Sequence, residues 1–505
     1  MDLTLYPLGE YLGLLDKLGA LAAPLPNRLD LDRTVELASY NSTEVVPGTL
    51  FICKGAHFRA YYLAQAARKG AFAYVSETPY PEVDLPCILV RDMRRVLAPL
   101  AVKYYNDPSK TVKVVGVTGT KGKSSTAYCL KHILDELSGP DGKSCGLISS
   151  IETWDGVERF ESHMTTPEPL ELQRHLARAA ASGLEYVVME ASSQALKYHR
   201  TLGTKFAAAA FLNIGTDHIS PVEHPDFDDY FQSKLKIFAQ ADFSCVNLDC
   251  DHAQEALEAA RAACPTVLTF SRRDPAAGVY GHDVRKVGHE ILFRADAAQL
   301  SGQYRLTMPG LFNVDNALAA IALCRGLGIP PEAVREGLAR ARVPGRMEVY
   351  SSENGDVAAI VDFAHNRMSF ETLFRDLREE YPGRRIVTVF GCPGDKAPDR
   401  RRDMGEIAGR YSDLVVLTED DPGEEDPAAI CWEIAAHVAC PYVVQINRGE
   451  AIRQAILGCD RPSVVLIAGK GVERYQKRGL EYVDTPLDSE YTQAFLREYD
   501  ARRGR

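Results

Sequence analysis

A lysine followed by a serine at the end of a glycine-punctuated turn can neutralise a run of phosphates, and residues 111–126, TVKVVGVTGTKGKSST, have that pattern. The turn offers backbone N–H groups and a helix N-terminus to a polyphosphate. Lys123 supplies a point charge, and Ser124 an oxygen ligand for Mg²⁺. Gly119, Thr120, Lys121, Gly122 and Ser125 complete the loop. The spacing departs from GxxxxGK[ST], because Val117 stands where the first glycine belongs and Gly116 and Gly119 flank it. A nucleoside triphosphate is the expected ligand.

Two more chemical groups follow at predicted strand ends. Glu190 closes the run Tyr186–Met189, and Asp217-His218 follows the run Ala207–Leu212. A carboxylate and an imidazole at neighbouring strand ends suit a second divalent cation bridging triphosphate and acceptor oxygens. Further along, four apolar runs end in polar or glycine-rich turns: Asp362-Phe-Ala-His365, Gly391-Cys-Pro-Gly-Asp395, Thr418-Glu-Asp-Asp421 and Gly469-Lys-Gly471. Ligands of open α/β sheets sit beyond the carboxyl ends of strands, so these turns point to a second ligand surface.

The elements that must carry these groups alternate strand and helix. Val112, Val114, Val115 and Val117 read as a buried strand, and Ala127, Leu130, Leu134 and Leu137 recur at helical spacing after the loop. Residues 1–108 mix short strands (Thr49–Cys53, Phe72–Val75, Cys87–Val90) with helices such as Ala60–Lys69 and end at Asn106-Asp107-Pro108. Residues 109–343 hold the phosphate loop and a mostly parallel sheet, with a further strand at Phe243–Asn247. A break at Val343-Pro344-Gly345 opens a third α/β segment, 344–505, with strands at Val357–Val361, Ile386–Phe390, Leu414–Leu417, Tyr442–Gln445 and Val464–Ile467.

Composition narrows the partners. A chain of 505 residues exceeds one hydrophobic core, and three domains is the natural division. A net charge of −11 without a dense basic tract argues against nucleic acid. No apolar stretch is long enough to span a membrane, and the N-terminus lacks a signal-peptide pattern. Twelve scattered cysteines then read as reduced thiols in the cytoplasm. Cys245, Cys250 and His252 match no zinc spacing and read as a buried strand end.

The ordered motifs resemble the ATP-dependent Mur ligases. GVTGTKGKSS is followed by Thr165-Thr166-Pro167, Glu190-Ala-Ser-Ser-Gln-Ala-Leu196 and Asn213-Ile-Gly-Thr-Asp-His218. Gly310-Leu-Phe-Asn-Val-Asp-Asn316, Pro344-Gly-Arg346 and Asp362-Phe-Ala-His365 continue in order. Asn41-Ser42 with Pro47-Gly48-Thr-Leu-Phe51 is similar to the uridine-nucleotide domain of the MurE type. The resemblance implies three α/β domains: an N-terminal UDP-MurNAc-binding domain, a central P-loop ATPase domain and a Rossmann-like C-terminal domain that binds the amino acid. It also implies a reaction. ATP phosphorylates the terminal carboxylate of UDP-N-acetylmuramoyl-L-Ala-D-Glu, and the amine of an amino acid displaces phosphate to form an amide. Closure of the third domain over the central one would keep water from the acyl phosphate.

Carried over by motif, Lys123 and Ser124 would hold ATP phosphates and one Mg²⁺, and Glu190 and His218 the second. Lys234 matches the family's carbamylated lysine, a CO₂-modified side chain that becomes an anionic ligand; Lys236 is its rival. Asn213, Asn313, Arg346, Asp362 and His365 would contact the nucleotide. Asn41, Ser42, Thr165, Thr166, Ser192 and Arg200 match positions gripping the uridine nucleotide and its peptide. Lys396, Asp420, Asp421, Gly469 and Glu473 fall where the amino acid is bound. A monomer is the default assembly.

Departures bear on the amino acid. Asp420-Asp421-Pro422-Gly423 replaces the Asp-Asn-Pro-Arg of diaminopimelate-adding members, exchanging arginine for glycine among acids. Such a surface repels a second carboxylate and attracts an ammonium, which favours L-lysine or another basic amino acid such as ornithine. Lys396 replaces an arginine, Val472 a histidine, Gln194 a histidine, and Asn366-Arg367 a Thr-Pro. Two other readings stay open: a Mur-like ligase for another carboxylate, and a non-catalytic nucleotide-binding subunit, against which intact Lys123, Glu190, His218 and Lys234 argue.

Overall fold

The computed structural model describes residues 3–55, 58–137, 145–162, 164–215, 219, 223–287, 290–394 and 399–503. The chain divides into two compact units, Met1–Val284 with Phe293–Tyr304 and Asp315–Arg340, and Arg285–Leu292 with Arg305–Val314 and Ala341–Arg505.

The first unit begins with four parallel strands in sequential order, Leu37–Ser39, Thr49–Ile52, Ala71–Ser76 and Cys87–Leu89. The helices Leu8–Lys17 and Met93–Tyr104 cover one face through Tyr11, Leu15, Leu97 and Leu100. Asp92 starts the second helix by accepting the N–H groups of Arg94 and Arg95.

Next comes an eleven-stranded sheet. From one edge it runs Gly302–Leu306, Glu290–Asp296, Val279–Val287, Thr266–Ser271, Phe243–Asn247, Phe206–Phe211, Lys113–Thr118, Tyr186–Glu190, Gly146–Ile148, Glu152–Trp154 and Arg159–Glu161. From Val279–Val287 through Gly146–Ile148 the pairs are parallel, and Glu152–Trp154 and Arg159–Glu161 add an antiparallel edge. Lys113–Thr118 lies near the middle with every residue after Lys113 buried, as a strand covered on both faces must be. Gly116 is a packing requirement: a Cβ there would sit 2.8 Å from the Phe206 ring. The helix after the phosphate loop spans Lys123–Asp135. Leu137, read from its spacing as part of that helix's apolar stripe, lies beyond its end and is exposed.

The second unit holds a six-stranded sheet in the order Glu348–Ser351, Val357–Asp362, Ser463–Ala468, Arg385–Phe390, Leu414–Leu417, Tyr442–Val444. Only the first pair is antiparallel. Apolar clusters pack on both faces, one around Phe370, Phe374 and Phe390, the other around Ile452, Ile456 and Leu496. All twelve cysteines are free thiols, and Cys245 is buried within its strand.

Candidate active site

The phosphate loop leaves the strand Lys113–Thr118 and is braced from the neighbouring strand end by Asn213. Its backbone carbonyl accepts from Thr120 N at 3.1 Å, its Oδ1 accepts from Lys121 N at 2.9 Å, and its Nδ2 donates to Lys121 O at 3.1 Å. Gly122 has φ +83°, and a Cβ there would run into the Asn316 amide, so only glycine turns the chain into the helix. Lys123 Nζ donates to the carbonyls of Gly119 (2.9 Å) and Thr120 (3.1 Å). That holds the ammonium against the loop its sequence position predicts it to serve.

Glu190 is the last residue of its strand and is buried. Its Oε1 accepts from Ser150 N (2.9 Å) and Ser150 Oγ (3.3 Å), and Ser150 Oγ lies 3.1 Å from Ser124 Oγ. A line of oxygens therefore runs from the loop serine to the strand-end carboxylate. On the other side Lys234, 1% exposed, donates to Gly119 O at 2.9 Å and lies over the Tyr230 ring, whose hydroxyl is 3.0 Å from Thr120 Oγ1. Lys236 is exposed and begins the next short helix. Of the two lysines, it is Lys234 that reaches the loop. His218 lies outside the described residues.

The oxygen line suits a hard cation such as Mg²⁺, which prefers oxygen and takes few protein ligands because phosphates and water complete its shell. Among the described residues no three His, Cys, Asp or Glu side chains converge on a metal position. Of the residues expected to hold an ion, Ser124 and Glu190 are joined through Ser150 along this line.

A polar cluster adjoins Glu190. Thr166 Oγ1 donates to Glu190 O (2.8 Å) and accepts from Ser192 N (3.0 Å). Ser192 Oγ caps the helix Ser193–Lys197 at Ala195 N. Arg200 donates to Thr166 O at 3.2 Å and pairs with Glu168 at 2.9 Å. Glu168 also takes Lys54, and Glu171 takes the Tyr40 hydroxyl, which ties the first sheet to this edge. Thr165 is half-buried beside them. Asn41 and Ser42 sit in the turn after the first strand: Asn41 Oδ1 accepts from Thr43 N and Oγ1, and Ser42 Oγ donates to Gln65.

In the second unit, Asp362 ends its strand and accepts from Met347 N (2.8 Å) and Ala364 N (2.7 Å). Arg346 stacks 4.7 Å over the Phe363 ring, His365 Nδ1 lies 2.8 Å from Phe363 O, and Asn313 Nδ2 donates to Pro309 O. Lys396 falls outside the described residues.

Of the acids predicted to face the amino acid, Asp420 is buried and Asp421 and Glu473 are half-buried, and they are partly matched by cations. Asp421 accepts from Lys470 Nζ and Lys477 N, both at 2.8 Å, and Lys470 also pairs with Glu473 at 2.6 Å. Arg478 holds Glu419 at 2.7 Å, and Arg448 holds Asp488 at 2.6 Å while donating to Ala468 O. Asp420 packs under Gly469, where a Cβ would strike its carboxylate. Five carboxylates thus share three cations, leaving two in excess. Burial pushes the Asp420 carboxyl up. Burial, with Asp420 and Asp421 nearby, pushes Glu473 up to about 7. Gly423 has φ +60°, which a side chain resists, so the glycine at this position is also what the turn requires.

Ser150 was not singled out from the sequence, and Lys470 entered only as the middle of the turn Gly469-Lys-Gly471. Ser150 follows a three-residue strand and belongs to no motif, whereas Asn316 was legible as one helical turn beyond Asn313.

A parallel sheet whose central strand empties into a lysine-bearing phosphate loop, flanked by a buried carboxylate and a buried lysine, defines a phosphoryl-transferring α/β enzyme. Residues 117–324 match the Mur ligase middle domain and residues 345–471 the Mur ligase, glutamate ligase domain. The UDP-N-acetylmuramoyl-L-alanyl-D-glutamate–L-lysine ligase of Enterococcus faecalis is 37% identical over 494 residues, 97% of this chain and 94% of that protein. A UDP-N-acetylmuramyl-tripeptide synthetase of Lactobacillus acidophilus is 36% identical over 480 residues, 90% of each chain. A solved UDP-N-acetylmuramoyl-L-alanyl-D-glutamate–2,6-diaminopimelate ligase shares the fold, with TM-score 0.68 at 23% identity over 99% of this chain and 100% of that one. The chain belongs to the Mur ligase family of ATP-dependent ligases.

Proposed function

We propose that this protein joins L-lysine, or another basic amino acid, to UDP-N-acetylmuramoyl-L-Ala-D-Glu through an acyl phosphate, a step in building peptidoglycan precursors. The observation that carries this reading is the Ser124–Ser150–Glu190 oxygen line beside Lys123, with Lys234 on the Gly119 carbonyl and the Thr166–Ser192–Arg200 cluster adjoining. Residues 1–108 then serve the uridine nucleotide, 109–343 ATP, and 344–505 the amino acid. Asn41, Ser42, Thr165, Thr166, Ser192 and Arg200 would grip the uridine nucleotide and its peptide.

A carboxylate is a poor acyl donor, whereas an acyl phosphate has a good leaving group. Loop N–H groups and Lys123 bind the triphosphate and offset charge as the γ-phosphoryl moves to the acceptor carboxylate. Ser124, Glu190, His218 and a carbamylated Lys234 would hold Mg²⁺, which supplies Lewis-acid stabilisation of phosphoryl oxygens. Arg200, fixed by Glu168, orients the acceptor peptide. Asn213, Asn313, Arg346, Asp362 and His365 would contact the nucleotide. The neutral α-amine attacks the acyl carbon, phosphate leaves, and the amine proton passes to solvent or to the departing phosphate.

The excess of carboxylates around Asp420, Asp421 and Glu473 supports an ammonium-bearing side chain, and the lysine-adding relative supports the same choice. Among the described residues no helix is long and apolar enough to cross a membrane, which is compatible with a cytoplasmic monomer. The test is phosphate release from ATP and Mg²⁺ with purified protein. Release should require both the UDP-muramoyl dipeptide and L-lysine; release with neither, or with neither omitted singly having an effect, would overturn the reading.

A further inference from the structure

Beside the acceptor cluster lies a buried set of contacts that the reaction as described does not use. His224 is fully buried. Its Nε2 lies 3.0 Å from Ser193 Oγ and its Nδ1 2.6 Å from Asp229 Oδ2. Asp229 also takes Lys197 Nζ at 2.7 Å, and Lys197 donates to Glu223 O at 2.8 Å. Burial lowers the His224 pKa against the opposing pull of Asp229, which favours the neutral ring. Asp229 accepts only, which places the proton on Nδ1 and leaves Nε2 to accept from the Ser193 hydroxyl.

The order serine, histidine, aspartate is that of a hydrolytic triad, but accessibility rules that chemistry out. Ser193 is 5% exposed and His224 not at all, so no acyl group can reach Oγ. What the contacts do is mechanical. Ser193 opens the helix capped by Ser192, three residues beyond Glu190, and Ser192 N is held by Thr166. Asp229 belongs to the helix Phe227–Leu235, which carries Tyr230 to Thr120 and Lys234 to the Gly119 carbonyl. Before that helix the His224 ring also packs edge-on against Tyr230 at 5.1 Å. The imidazole is therefore a strut between the segment bearing the acceptor cluster and the helix bearing the buried lysine.

We propose that His224, locked between Ser193 and Asp229, is a positioning residue that sets Lys234 and the Thr166–Ser192 cluster in register for phosphoryl transfer to the acceptor. This rests on the ligase reading above. A hydrogen-bonded side chain held at both ring nitrogens has one orientation, and losing either partner frees it, so the two contacts act as one unit.

The test is a mutant cycle in the full chain, with kcat and KM for ATP, the UDP-muramoyl dipeptide and L-lysine, and a thermal midpoint for each variant. Ser193→Ala and Asp229→Asn should each lower kcat about fivefold to tenfold, and the double variant should be no slower than the slower single. KM for ATP should stay within about twofold in all of them, since the phosphate loop keeps its Asn213 brace. In a His224→Phe background, adding either change should do nothing further. Effects that multiply independently, or a lowered midpoint at unchanged kcat, would overturn the proposal in favour of a purely structural role. If His224→Phe does not fold, the Ser193–Asp229 cycle decides alone. A wild-type protein without turnover would sink the ligase reading itself and this role with it, whereas normal turnover in every variant would sink only this role.

Discussion

Lysine binding should strengthen as pH rises through about 7, because Glu473 must ionise to receive an ammonium. Its carboxyl is buried beside Asp420 and Asp421, and burial with those neighbours raises it to about 7 despite the Lys470 partner. The ionised fraction goes from about a tenth at pH 6 to about nine-tenths at pH 8, so KM for L-lysine should fall about tenfold across that interval. The sign for stability is the opposite. A carboxyl raised above its unfolded value of 4.5 binds a proton more tightly in the fold, so stability is lost as pH rises from 4.5 towards 7. The loss is on the order of 3 kcal/mol, and a bound cation offsets it. Added L-lysine should therefore raise the thermal midpoint more at pH 8 than at pH 6. Attack needs the neutral α-amine, whose titration enters kcat, so KM and the midpoint shift are read separately from kcat. Glu473→Gln should flatten the pH dependence of KM. A KM equal at pH 6 and pH 8, or a slope unchanged in Glu473→Gln, would refute this account of the cluster.

Three further outcomes are expected. Lys234→Met should lower kcat by about 10²–10³ while Lys236→Met stays near wild type, and intact-protein mass should show a CO₂ adduct lost with Lys234 alone. Arg200→Ala removes a charged donor held by Glu168, so KM for the UDP-muramoyl dipeptide should rise about tenfold or more with KM for ATP unchanged in steady-state kinetics. Chelation of divalent ions should bring phosphate release to background, and excess Mg²⁺ should restore it.

The central strand and the loop were legible because their signals are local, whereas the order of strands in the sheet was not read from sequence. Val114, Val115 and Val117 form a strand buried on both faces, and Gly122 sits where only glycine lets the chain turn. Motif resemblance singled out Lys234, and in the fold Tyr230 and Lys234 both reach the loop from one helix, at Thr120 and Gly119. Non-local balance was not legible. The acids at 419–421 read as a bare negative surface, yet Arg448, Lys470 and Arg478, which pair within that cluster, come from later segments brought in by the sheet. Ser150 escaped notice for the same reason, since only the fold brings it between Ser124 and Glu190. Leu137 shows the reverse failure: helical spacing persisted in sequence two residues past the point where the helix ends.

The most direct measurement is a competition. Purified protein, ATP, Mg²⁺ and the UDP-muramoyl dipeptide are mixed with equal amounts of L-lysine and meso-diaminopimelate, and the nucleotide product is identified by mass. The account predicts that the lysine amide dominates and that ADP and phosphate appear in equal amounts with it. A product carrying diaminopimelate, or ATP cleavage with no amide of either kind, would contradict it.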